Sequence, residues 1–287
     1  MMMPKILITA SNPEGRYAVS LFEEAYNKAY LDKVFARRLN ERGDELKEWI
    51  IEIIRELSGW DPSTDDEGNP IYVYPKDYKV KGIAEQVATL KSLFPELKNA
   101  TFNESITTRP LPPNAEGWFA IPRWQAFAPT YGKAVEKVFA VIASTREFCN
   151  CNDGELGAEY FRQNAETVKM FQKLGDEQKG YDILVVPAQF GLYYGGRSVL
   201  RKRRQVFASK EFGLGAFAIG NMLLTHPERE SCHDQLDIEC TGDEFSEDAN
   251  EYFLVKPTFY VVNGCLRFAA SSQDETGNEY GLTSAFA

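Results

Sequence analysis

Phe259-Tyr260-Val261-Val262-Asn263-Gly264-Cys265-Leu266-Arg267-Phe268 is the stretch that decides the fold class. Two β-prone runs flank Asn-Gly, a dipeptide in which both residues accept the positive φ of a type I′ turn, so it predicts a β-hairpin. A lone hairpin is marginal in water and needs further strands or helices against its apolar face. Upstream, Tyr181 to Pro187 carries Ile183-Leu184-Val185-Val186, four branched apolar residues in a row, as expected of a strand buried on both faces. Leu236 to Cys240 alternates and predicts a shorter strand. Short strands are also expected at Lys5 to Thr9 and Ile71 to Tyr74.

The N-terminal third has helical periodicity. Asn12-Pro13 is a helix start, and Leu21/Phe22, Ala25/Tyr26, Ala29/Tyr30, Val34/Phe35 and Leu39 recur at helical spacing. One helix is predicted to about Arg42 and a second from Leu46 to about Ser58, with Gly43 between them. Further helices are predicted over Ile83 to Leu93, Gly132 to Phe148, Glu155 to Leu174 and Phe212 to Leu224. The class that follows is α+β or mixed α/β. A mainly helical region, 1–98, leads through a proline-containing connection, 99–116, to an α+β domain, 117–287, that ends in an acidic part, 226–287. Trp118, Phe119, Ile121 and Trp124 suggest that the proline-rich stretch packs on something.

The chain has 287 residues, 44% of them apolar, and a net charge of −10, which excludes wholesale disorder and collagen-like or bare coiled-coil chains. Its longest nearly uninterrupted apolar stretch, Phe212 to Leu224, falls short of the ~20 residues of a spanning helix. No signal peptide is visible, and five cysteines make no disulfide framework, so a reduced, cytoplasmic setting is expected. The charge is unevenly placed. Residues 226–287 hold 13 acids and 3 bases, a net of −10, whereas 101–225 hold 12 acids and 15 bases. Such a segment repels phosphate backbones and attracts basic partners, or it simply keeps an ordinary domain soluble. Asp234, Asp237, Glu239, Asp243 and Glu244 are the candidate partner-binding residues.

Several chemistries can be tried on these residues. His226, Cys232, His233 and Cys240 are four metal-competent side chains, with Cys149 and Cys151 available from another element, but their spacing matches no standard zinc site. Two partly buried cysteines and two surface histidines are the plainer reading. Asp237 and Glu239 would share one face of a strand and could hold a divalent ion beside a phosphodiester, although no lysine follows them. Nucleophile elbows, phosphate loops and dinucleotide fingerprints are missing, so no catalytic residue and no cofactor is assigned. The basic run Arg197 to Lys210 follows Tyr193-Tyr194-Gly195-Gly196. Arg197, Arg201 and Arg204 share a helical face there and are candidate phosphate contacts, or internal partners of the acidic segment.

Three blocks, Asp182 to Gly191, Gly196 to Val199, and Glu211 to Gly215 continuing through Thr225-His226-Pro227, resemble uncharacterised proteins of phage and environmental bacterial genomes. The likeness spans roughly residues 117–245 and carries no activity, implying only a phage-accessory context. Two functions are therefore expected to compete. One is a non-enzymatic protein-binding module whose acidic surface engages a basic, nucleic-acid-handling partner, such as a phage-encoded inhibitor of a bacterial defence nuclease. The other is a metal-dependent enzyme acting on nucleic-acid or nucleotide phosphates. A membrane partner is not expected, and homo-oligomerisation is left open.

Overall fold

A computed structural model describes residues 11–41, 74–76, 78–152, 156–194, 211–246, 255–271 and 280–287, with a few single positions between them. It is an α+β protein divided into two compact units, Met1–Asp65 and Asp66–Ala287. No helix among the described residues is long and apolar enough to cross a membrane.

In the first unit, helices α1 (Pro13–Lys28) and α2 (Lys33–Glu41) replace the single helix expected to Arg42. Two residues explain the break. Tyr30 takes a positive φ of 48°, and the Asp32 carboxylate accepts from the amides of Val34 (2.8 Å) and Phe35 (3.0 Å), capping a new helix start. The strand expected at Lys5 to Thr9 and most of the second expected helix lie outside the described residues.

The second unit takes in more of the chain than the sequence suggests. Helix α3 (Ile83–Leu93) keeps its expected bounds but packs on strand β1 (Gly117–Pro122) and on helix α6 (Ala216–Thr225). The boundary therefore falls near Asp65, and the 99–116 stretch is part of the domain. Its Thr101 amide donates to Asp182 Oδ2 (2.7 Å), and Phe102 bridges to Ile183.

Three further helical expectations shift. Helix α4 (Tyr131–Thr145) starts at Thr130, whose hydroxyl accepts from Lys133 N. Glu155 to Leu174 divides into strand β3 (Phe161–Gln163) and helix α5 (Ala165–Glu177), because Asn164 Oδ1 takes the Thr167 amide at 2.8 Å and starts a helix there. Phe212 to Leu224 likewise divides into strand β5 (Glu211–Gly213) and α6, a helix with all ten residues buried.

One sheet has the order β1-β4-β11-β5, with β4 at Ile183–Gln189 and β11 at Ser284–Phe286. Every residue of β4 is buried, as four branched residues in succession require. A second sheet has the order β10-β6-β8-β9-β2, where β2 is Phe148–Asn150, β6 Asp237–Glu239, β8 Lys256–Val262, β9 Cys265–Ser271 and β10 Tyr280–Leu282. Strands β8 and β9 form the expected hairpin, closed between Val262 and Cys265 with Asn263 at φ 53° and Gly264 at φ 82°. Strand β7 (Asp243–Phe245) pairs with β3 apart from both sheets.

Buried glutamines complete the first sheet. Gln86 Nε2 donates to Trp118 O (2.8 Å), and its Oε1 accepts from Ala120 N, closing the open edge of β1. Strand β11 pairs only with the end of β4, which leaves the Val185 amide and carbonyl without a strand partner on that side. The Gln178 side chain supplies both bonds, at 2.9 and 3.0 Å.

Candidate functional site

One face of the first sheet lies under α3 and α6. On the other face, a groove of about 360 Å³ is lined by α5 and by the 3-10 turn Glu104–Thr108. Alternation along the strands sets its floor. Trp118 stands opposite Pro187 in register, Val185 lies two positions along β4, and Phe286 closes one end. Pro110 and Pro112 make one wall, and Leu174 of α5 the other. Arg109 and Glu177, both exposed, give the lip one cation and one anion. Such volume and lining fall in the range of binding clefts. The sequence signal for this place was the pairing of a proline-rich stretch with Trp118.

A buried polar network ties together Tyr74 and Tyr78, Glu116 before β1, Phe190 just after β4, and the segment after α6. Arg229 is fully enclosed. It donates to Glu230 Oε2 (2.9 Å), Leu236 O (3.0 Å) and Phe190 O (3.2 Å), and its guanidinium lies 4.0 Å from the centre of the Tyr74 ring. Tyr74 donates to Glu116 Oε1 (2.5 Å), which also accepts from Phe190 N. Burial lifts Glu116 to about 7, with Tyr74 and Arg229 pulling the other way, and lifts Glu230 well above the carboxylate range against the pull of Arg229. Glu116 Oε2, Tyr78 Oη and Glu230 Oε1 are enclosed without hydrogen-bond partners among the described residues. Perturbed carboxyls and orphaned oxygens together are a common mark of functional chemistry. Sequence spacing gives no hint of this cluster, since its members come from four separate segments.

The residues singled out from sequence have different fates. His226 is buried. Its Nε2 accepts from Lys81 N (2.9 Å), and its Nδ1 lies 3.2 Å from Met222 O, which it meets as a donor in the neutral tautomer; burial pushes the ring down to about 4. With both nitrogens occupied it has no lone pair for a metal. Cys240 is in the core, while Cys232 and His233 are exposed. Among the described residues no group of three or more His, Cys, Asp or Glu is placed to hold a metal ion.

Among the described residues, several of the candidate acids are not on the surface. Asp243 is 1% exposed and serves the start of α6: Oδ2 accepts from Ala216 N (2.5 Å), and Tyr131 donates to Oδ1 at 2.9 Å. Burial raises its carboxyl to about 8, offset in part by those two donors. Gly215 has no room for a side chain beside that carboxylate. Glu239 is 6% exposed, so Asp237 and Glu239 do not stand together on an open strand face as a two-carboxylate metal site needs. Glu244 accepts from Arg162 Nε (2.9 Å). Asp234 is largely exposed, with its carboxylate 3.6 Å from His233 Nδ1. Arg197, Arg201 and Arg204 lie outside the described residues.

No family model, no curated protein and no solved structure matches the chain.

Proposed function

We propose that this chain is a non-enzymatic protein-binding module that seats an extended, apolar and basic segment of a partner protein in the groove under Trp118. The groove carries the reading. A tryptophan floor with proline walls offers preformed apolar surface at little conformational cost, and its two lip charges are suited to fixing orientation rather than to chemistry. The sign of the partner follows from the net charge of −10, concentrated in residues 226–287 and represented on the surface by Asp234. A nucleic-acid-handling protein, and in the phage-accessory context an inhibited defence nuclease, has that character. Catalysis is the weaker alternative, because His226 is spent on the Lys81 amide and Asp243 on the start of α6.

The test begins with the full chain as bait in bacterial lysate, followed by titration of the purified captured protein. A basic partner that binds directly, falls away with salt, and binds about tenfold more weakly to Glu177→Arg is the expected result. Binding that is indifferent to salt and to Glu177→Arg would sink the proposal.

A further inference from the structure

The exposed side of the second sheet carries chemistry that neither the groove nor the buried network uses. Cys149 and Cys151 are both exposed at the end of β2, with their sulfur atoms 3.8 Å apart. A disulfide would require contraction to ~2.05 Å. Two thiolates that share one tetrahedral zinc ion at ~2.3 Å are, by that geometry, ~3.8 Å apart, so the resting pair already spans a soft ion. A closed tetrahedral site needs four ligands, and no third protein ligand is near among the described residues. Strand β2 is also the last strand of its sheet among the described residues, so the dithiol stands at an edge that a second chain can approach.

We propose that Cys149 and Cys151 form half of a zinc site that is completed by the same two cysteines of a second copy of this chain. Four thiols bind one Zn²⁺ and release four protons, leaving a tetrathiolate centre of charge −2. Arg267 stands opposite Cys149 in register, acts electrostatically on Cys151, is hydrogen-bonded to Tyr260, and has an enclosed Nε without a partner among the described residues. One Arg267 from each copy supplies the two positive charges that offset the centre. Cys232 and Cys265 are outside the site and serve as controls.

The experiment uses the full chain, stripped with a chelator and kept reduced, then titrated with Zn²⁺ alone and in parallel with Co²⁺. Bound metal, mass by light scattering, and the intensity of the thiolate-to-cobalt charge-transfer band are measured together. One ion per two chains, a metal-dependent dimer and a four-thiolate band are expected. Cys149→Ser and Cys151→Ser should abolish all three, while Cys232→Ser and Cys265→Ser leave them intact. Failure to retain metal, one ion per single chain, or a dimer that survives in Cys149→Ser would each overturn the proposal. Both cysteines are exposed, so serine at either position leaves the core untouched, and circular dichroism of the variants checks this.

Discussion

At the scale of single residues, the polar groups that look most functional in the sequence are spent on the fold. Asp243, raised to about 8, and Glu116, raised to about 7, keep protons in the folded chain that the unfolded chain has already lost. Their contribution to stability is full below the ordinary carboxylate range and is lost as pH rises through about 7 to 8. His226, pushed down to about 4, acts in the opposite sense: its contribution is present above the ordinary imidazole range and is lost as pH falls towards 4. Asp243→Asn retains an acceptor for the Ala216 amide and is expected to flatten the alkaline loss, by at most about 1.4 kcal/mol per pH unit. Denaturant unfolding from about pH 5 to about pH 8 measures that slope. Arg229→Met leaves Glu230 buried without its cation and should cost about 3–5 kcal/mol, most of it recovered in the double variant with Glu230→Gln. Sequence could not separate these roles, because a helix-capping aspartate and a metal-binding one are the same residue until packing assigns them. His226 and Asp243 show this most clearly. Arg229 gave no signal at all, since its partners Phe190, Leu236 and the Tyr74 ring are remote in sequence or ordinary in type.

Secondary elements were legible where one local rule acted without competition. The β8–β9 turn is fixed by two adjacent positive-φ residues, so Gly264→Ala should lower stability by about 1 kcal/mol, read as a shift in the thermal midpoint. Helix α3 stood out through its period and Pro95. The bounds of the other helices failed where an apolar run hid a strand and a cap. Glu211–Gly213 before α6 and Phe161–Gln163 before α5 are three-residue strands, too short for periodicity to separate from a helix start. Asp32 and Asn164 mark two helix starts by capping, a signal that hydrophobic spacing does not carry. The open side of β4 yields a further expectation. Gln178→Leu strips both bonds from Val185 and should destabilise by about 1–3 kcal/mol, with faster amide exchange at Val185 as the local readout.

For the whole molecule, the uneven charge was visible from composition, but its surface expression was not. Of the acids in 226–287, Glu230, Glu239 and Asp243 are buried, and Glu228 and Glu244 pair with Lys81 and Arg162. Glu247, Asp248, Glu251, Asp274, Glu275 and Glu279 lie outside the described residues; among the described acids of the segment Asp234 is the exposed one, and Asp234→Lys should weaken capture while leaving the thermal midpoint unchanged. The groove was half legible: prolines and Trp118 announced a packed irregular segment, but only the order of the strands placed Phe286 at its end. That order has a consequence for the making of the protein. Strand β11 lies inside the first sheet, between β4 and β5, and its Ser284 bonds Gln189 across 95 positions and Glu211 across 73. A nascent chain leaving the ribosome therefore carries β4 and β5 as separate, unjoined strands until residues 284–286 are synthesised. Closure of this sheet therefore waits for residues 284–286, and until they arrive the facing edges of β4 and β5 are open to pairing with other chains.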